Sequence, residues 1–315
     1  MPNTVANDLS GITPEIWSTM VQVPLYKRLV AKAVCSTRLL DQMPAGKKIY
    51  VPRFDSLSAQ VYTPGTDLSA TNQEWDTDTI NVSTYKHASF YLDDVEKLQA
   101  NVDATISLAG DAAYQLGNAI DTKAFSKITG AVSVGLSCVD RGDVFGDSST
   151  GVITASSANI INLFAGVTNV LRTNNVEETG DWCAVISPKI ASYIEIKAAN
   201  TGFNIADATL RNGYAGKFMG YEVYISNNLP TGECSALSIS TLGGPTAAGS
   251  ATTGVSCYFG KKGAIDLILQ KAPALEIRKP SNKLGANFIT WTVYGAGVTL
   301  RNRGRARNVT VKSGT

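Results

Sequence analysis

Three features of this chain predict a mixed α+β fold. Apolar residues from Asp93 to Gly130 recur in steps of three and four, the period of a helix. Residues 46–92 and the stretch from Phe288 to Val311 alternate instead, as strands do. Between them, Trp182–Ile186 runs straight into Ser187-Pro188, a strand feeding a proline-opened helix, which implies an α/β layer.

The helical stretch organises the rest. Asp93, with Glu96 three residues later, makes a capping-box-like start. Val95, Leu98, Val102, Ile106, Ala109, Ala113, Leu116 and Ile120 form the stripe expected to be buried, and Phe125 and Ile128 extend it to Gly130, a left-handed stop. At ~1.5 Å per residue, its ~35 positions span roughly 50 Å. Ala109, Gly110, Ala112, Ala113 and Gly117 stand where a coiled-coil seam would carry Leu or Ile, so the helix is expected to lie across a sheet.

Upstream, residues 1–12 are polar and read as an arm. Thr13-Pro14-Glu15 opens a short helix through Ile16, Trp17, Met20 and Val21, interrupted at Pro24 and resuming through Leu25, Leu29 and Val30. From Gly46 the pattern is β. Lys47–Pro52 and Ala59–Tyr62 are strand candidates, followed by Thr63-Pro64-Gly65-Thr66, whose Pro-Gly centre is type II turn chemistry. The return strand places Ile80, Val82, Thr84, Lys86, Ala88, Phe90 and Leu92 on one face, and Asn81, Ser83, Tyr85, His87, Ser89 and Tyr91 on the other. The result is a two-stranded arm roughly 40–50 Å long at ~3.3 Å per residue. An isolated hairpin is marginal in water, so the arm packs either on its own domain or on a neighbouring subunit.

Downstream of the long helix, residues 131–155 are rich in Gly and Ser and read as a subdomain boundary. Ser156 or Ser157 is expected to cap a helix with Ile160, Leu163, Phe164, Val167 and Leu171 on its apolar face and Asn174-Asn175 at its end. The strand Trp182–Ile186 and the helix Lys189–Ala198 come next. Gly213, Gly216 and Gly220 punctuate two short strands before Asn227-Asn228-Leu229-Pro230. Residues 241–254 form a low-complexity loop, and strands resume at Ser256–Phe259 and Ala264–Leu269.

Composition removes several function classes. At 315 residues with 44% hydrophobic content, the chain is long enough for one large domain or two smaller ones. A net charge of +2 supplies no field to draw nucleic acid or acidic lipid. His87 is the sole histidine, which argues against Ser-His-Asp triads and multi-histidine metal sites, and it sits in the alternating strand. Five scattered cysteines offer no disulfide framework or metal spacing, which suggests a reducing compartment. Neither a signal sequence nor a membrane-length apolar run is present. No catalytic, cofactor or metal site is expected, and the chain is not read as an enzyme.

The remaining motifs have plain explanations. Gly213-Tyr-Ala-Gly216-Lys217 has the wrong glycine spacing for a phosphate loop, and Phe218 replaces Ser or Thr. Gly295 and Gly297 lack the third glycine of a dinucleotide fingerprint. Asp93-Asp94 fits a helix start and Glu177-Glu178 a solvated loop. Tyr221 and Tyr224 are expected to pack. Arg301, Arg303, Arg305 and Arg307 alternate, so a strand would put all four on one face. That face is a solvated one, an intersubunit ion-pair patch, or a contact to phosphates.

The order of elements, with Tyr91–Asp103 (YLDDVEKLQANVD), Ala119–Phe125 (AIDTKAF), Val185–Ile194 (VISPKIASYI), Asn212–Pro230 (NGYAGKFMGYEVYISNNLP) and Val293–Gly304 (VYGAGVTLRNRG), resembles tailed-bacteriophage major capsid proteins of the Hong Kong 97 type. The resemblance covers nearly the whole chain. It implies an α+β capsid fold with a long spine helix, an extended β-hairpin E-loop and an axial α/β domain. The implied division is residues 1–45 as arm and short helices, 46–91 as E-loop, 92–150 as spine and peripheral domain, 151–269 as axial domain, and 270–315 as strands returning to the peripheral domain.

The function so implied is structural: pentamers and hexamers closing into an icosahedral shell around packaged double-stranded DNA. The protein would assemble in the host cytoplasm and end in the virion. An encapsulin-like nanocompartment or another self-assembling lattice is the alternative. Implied partners are further copies, a portal, a decoration protein, nonspecific contact with DNA, and no membrane. Only residues 1–12 precede the first expected helix, so scaffolding is expected from a separate protein rather than from a cleaved extension. The assembly residues this reading singles out are Pro64, Gly65, Tyr85, Gly213, Gly216, Gly220 and the four arginines. The type member joins Lys to Asn between subunits, and Lys47, Lys48, Asn282 and Asn287 lie in corresponding regions.

Overall fold

A computed structural model describes residues 25–39, 45–54, 56–68, 73–99, 104–129, 136–139, 144–145, 153–177, 180–201, 214–232 and 254–313. In chain order come α1 (Ala31–Val34), β1 (Lys48–Phe54), β2 (Trp75–Asn81), β3 (Thr84–Leu92), α2 (Asp94–Gln99) and α3 (Ala104–Phe125). Then follow β4 (Ser137–Cys138), β5 (Ile153–Ala155), α4 (Ile160–Thr173), β6 (Trp182–Ile186), α5 (Pro188–Thr201), β7 (Tyr214–Phe218), β8 (Tyr221–Ile225) and β9 (Thr231–Gly232). The last elements are β10 (Gly254–Lys261), β11 (Asp266–Arg278), β12 (Ala286–Gly297), α6 (Leu300–Arg303) and β13 (Ala306–Ser313). The expected mixture of helix and strand is present.

The largest sheet has eight strands in the order β4-β13-β10-β6-β8-β7, with β5 beside β13 and β9 beside β10. All five residues of β6 are buried, which explains why Trp-Cys-Ala-Val-Ile reads as an unbroken apolar run. On one face Trp182, Ala184 and Ile186 meet Ile160, Leu163, Phe164, Val167 and Leu171 of α4 and Ile190, Ala191 and Ile194 of α5. On the other, Cys183 and Val185 meet Val30, Val34, Ala124, Phe125 and Ile128. The apolar face expected of α4 is wholly buried, each of its five residues at 0% exposure. Its cap differs. Asn159 precedes the helix, accepting the Ser156 N–H (2.8 Å) and donating to the Thr154 carbonyl (2.8 Å), so neither Ser156 nor Ser157 holds the capping position. At the other end Asn175 is left-handed (φ 56°), and the Asn175 and Val176 N–H groups donate to the Arg172 and Leu171 carbonyls, a Schellman closure.

Helix α3 lies across a three-stranded sheet, β11-β12-β3, touching all three strands. The stripe expected to be buried divides along its length. Leu116 is 3% exposed, but Val95 (48%), Leu98 (87%) and Ile106 (78%) face solvent. Ala112 lies on the buried side instead. The helix is described in two segments, and Val102 and Gly130 lie outside the described residues.

Other expectations are corrected. Residues 25–30 are not helical. The carboxylate of Asp121 accepts the N–H groups of Val30 (2.8 Å) and Ala31 (2.6 Å), which makes Ala31 the first helical residue, and Tyr26 stacks on Tyr114 at 4.0 Å. The earlier helix at Thr13–Val21, with Trp17, lies outside the described residues, as does the loop 241–253. The strand expected from Ile80 to Leu92 is split at Val82-Ser83: β2 pairs with β1, and β3 pairs with β12. The alternation itself holds across the break, with Ile80 and Val82 buried and Tyr85, His87 and Tyr91 exposed. Ala59–Tyr62 is not a strand.

The run from Phe288 to Val311 is also broken. Thr299 and α6 interrupt it, β12 joins the three-stranded sheet, and β13 joins the eight-stranded one. The sheets therefore do not divide at residue 270. Cys35, Cys183 and Cys257 are free and buried, whereas Cys138 is disulfide-bonded.

Candidate assembly surfaces

The β1–β2 hairpin has a fixed root and an unsupported tip. At the root Ile80 and Val82 pack with Leu39 and Ile268, and the Val82 N–H donates to the Lys47 carbonyl at 2.8 Å. Arg53 bridges across the ladder to Asp76 and, at 3.6 Å, to Asp78. Phe54 and Trp75 close the paired part with ring centres 5.4 Å apart. Beyond them Leu57 (70%), Val61 (98%), Tyr62 (58%) and Leu68 (83%) stand exposed. Pro64 and Gly65 form the expected turn: Gly65 has φ +90°, and the Thr66 N–H and hydroxyl donate to the Thr63 carbonyl at 3.2 and 2.6 Å.

Tyr85 projects from β3, 60% exposed, opposite Val293 of β12. Two residues on, His87 pairs with Trp291, over whose ring Lys271 Nζ sits 3.4 Å from the centroid. Glu276 gathers this face together, accepting from Lys271 Nζ (2.9 Å), Trp291 Nε1 (2.7 Å) and Arg278 Nη2 (3.1 Å). These charge-assisted bonds hold its carboxyl down at about 2.

Gly213 lies outside the described residues. Gly216 (φ +66°) falls at the register irregularity of the β7–β8 hairpin, and Gly220 (φ +86°) follows Met219 (φ +49°) in its turn. Two successive left-handed residues are the signature of the type I′ turn that suits a twisted hairpin. The hairpin serves the core. Tyr221 is fully buried, edge-on to Phe164 at 5.8 Å, and its hydroxyl lies 3.0 Å from Thr168 Oγ1.

The four arginines do not share a face. Arg301 and Arg303 belong to α6, Arg305 to the turn after it, and only Arg307 to a strand. Arg307 is 8% exposed and donates to the carbonyls of Arg303 (3.1 Å) and Ala306 (3.3 Å). The helix breaks the two-residue alternation on which the single patch depended. Lys48 pairs with Asn81 in the hairpin, whereas Asn287 pairs with Tyr91 in the three-stranded sheet, so one copy does not pair Lys48 with Asn287.

Two buried carboxylates escaped the sequence reading. Asp121, besides holding Val30 and Ala31, accepts from Asn228 Nδ2 at 3.0 Å, tying the long helix to the arm and to the segment after β8. Asp266 accepts from Asn302 Nδ2 (3.0 Å) and Arg38 Nε (3.3 Å). Burial pushes the Asp266 carboxyl above the usual range, with Arg38 opposing. Both are aspartates in ordinary apolar-rich contexts, and their partners are distant in sequence. Among the described residues no acid, His or Cys cluster suits a metal, and no helix is long and apolar enough to cross a membrane.

A long helix across a three-stranded sheet, an extended hairpin and a larger sheet flanked by helices together define a fold found in bacteriophage capsids. The chain is similar over nearly its whole length to the cyanophage P-SCSP1u capsid structure, at 15% identity and TM-score 0.69, covering 100% of this chain and 97% of that one. A structure of Mycobacterium phage Che8 matches at 16% identity and TM-score 0.70, covering 94% and 96%. The bacteriophage PhiM1 mature capsid matches at 17% identity and TM-score 0.63, covering 95% and 92%. The sequence matches no family model and no curated protein.

Proposed function

We propose that this protein is the major capsid protein of a tailed phage, a structural subunit of the Hong Kong 97 type rather than an enzyme. The observation that carries the reading is the similarity of fold over almost the full length of both chains. Copies assemble as pentamers and hexamers into an icosahedral shell, formed in the host cytoplasm, that encloses double-stranded DNA in the virion. The β1–β2 hairpin acts as the E-loop, α2–α3 as the spine, the three-stranded sheet with β3 as the peripheral layer and the eight-stranded sheet as the axial layer. The exposed tip then finds its packing partner on the next copy. Scaffolding, portal and decoration proteins complete the particle, and contact with DNA is nonspecific and weakens with salt.

Electron microscopy with sedimentation of the purified protein, with and without a scaffolding protein, tests this. Closed shells or five- and six-membered rings support it. A species that stays monomeric under both conditions overturns it. Shells filled with a cargo enzyme in place of DNA would move the assignment to a nanocompartment.

A further inference from the structure

The hairpin root, the segment after α1, and α6 enclose a cleft of about 700 Å³. Leu39, Tyr50, Phe54 and Leu300 supply an apolar wall, and Arg38, Arg53 and Arg301 supply its cations. The cations differ in what they already hold. Arg53 is engaged by Asp76 and Asp78. Arg38 meets Asp266 through Nε at 3.3 Å and leaves half its side chain exposed. Arg301 is exposed and has no carboxylate partner among the described residues. Asp78, the acid in the lining, is occupied by Arg53 and by the Leu300 N–H at 2.8 Å. The cleft thus presents unused guanidinium donors beside an aromatic and aliphatic wall, which suits carboxylates carried next to apolar side chains.

The start of α2 has that composition. Asp94 and Glu96 are exposed, and beside them Val95 is half exposed (48%) and Leu98 largely so (87%). It cannot reach its own cleft. Helix α2 follows Leu92, which pairs with Ala286 at one end of β12, whereas the hairpin root abuts Gly295 and Gly297 at the other end. Those ends are about 30 Å apart at ~3.3 Å per residue.

We propose that Asp94 and Glu96 of one copy dock in the cleft of a second copy, pairing with Arg301 and Arg38 while Val95 and Leu98 cover the apolar wall. This rests on the shell reading. The contact is head-to-tail, joining two different surfaces, which is the kind of interface that closes rings.

Cysteine pairing tests it directly. Copies carrying Arg301→Cys and copies carrying Glu96→Cys, assembled together and oxidised, should give a disulfide-linked dimer that neither variant gives alone. Linkage of Arg301→Cys to Asp67→Cys copies in its place would make the hairpin tip the occupant and overturn the proposal. Charge reversal gives a second readout. Arg301→Glu and Glu96→Arg should each lower the assembled fraction at least tenfold without moving the melting temperature of unassembled protein, and the double variant should restore assembly. Wild-type protein that never assembles removes the shell reading itself. Wild-type assembly with Arg301→Glu assembling equally well removes only the cleft. Intact Arg301→Glu shells that retain less DNA would assign the cleft to phosphate and overturn the proposal as well.

Discussion

A Cβ added to Gly295 would lie 2.4 Å from the carbonyl oxygen of Asn81, so the hairpin root and β12 touch backbone to backbone. At Gly297 the added atom would lie 2.8 Å from Ile80 Cγ2. The glycine pair that fails as a dinucleotide fingerprint is therefore a steric notch that seats the arm. Gly295→Ala should destabilise the fold by about 1–3 kcal/mol, the usual cost of overpacking. Denaturant unfolding of unassembled protein measures this, and a change below ~0.5 kcal/mol would show that the root shifts freely.

Asp121 is 2% exposed and accepts hydrogen bonds from two backbone N–H groups and from Asn228. Asp121→Ala leaves the donors of Val30 and Ala31 buried without their acceptor. The expected loss is about 3 kcal/mol, from bonds to a charged acceptor and donors left unpaired. Hydrogen exchange should show protection lost first at residues 30–34. Uniform loss across the eight-stranded sheet would mean that Asp121 does not act locally.

What could be read from the sequence was what local period and turn chemistry determine. The Trp182–Ile186 strand, the α4 apolar face and the Pro64-Gly65 turn depend on neighbours within a few residues, and each is where the pattern put it. Choices made by distant partners were hidden. The alternation from Ile80 to Leu92 is continuous, yet the chain changes sheets at Val82 because Lys47 takes its N–H. The same arginine spacing that suits a strand is interrupted by α6, whose position is set by Asp78 and Asp266 through Leu300 and Asn302. The α2–α3 stripe misled for a further reason, since apolar periodicity does not say whether the cover comes from the same chain.

Glu276 gives the outer sheet face a pH response of defined sign. Its folded pKa of about 2 lies below the ordinary carboxylate value, so its bonds to Lys271, Trp291 and Arg278 stabilise the fold at neutral pH. That contribution is complete above the unfolded pKa, about 4.3, and is lost as pH falls toward 2. Tryptophan fluorescence from Trp291, isolated by replacing the other tryptophans, should follow the loss. Glu276→Gln should remove that pH dependence; its persistence would assign the titration to another group.

Leu116 and Ile106 separate packing within the chain from packing between chains. Leu116 is 3% exposed, whereas Ile106, ten residues earlier on the same helix, is 78% exposed. Leu116→Asp buries an unpaired charge and should cost upwards of about 3 kcal/mol, with little soluble protein recovered. Ile106→Asp should leave the melting temperature of unassembled protein within about 1 °C, because a substitution at a largely exposed position loses little packing. In a shell the same aspartate would face a neighbouring copy, so assembled particles should fall sharply in sedimentation. If Ile106→Asp lowers the melting temperature as Leu116→Asp does, the exposed stripe is covered within one chain. If both stability and assembly are normal, that part of the helix faces solvent in the particle.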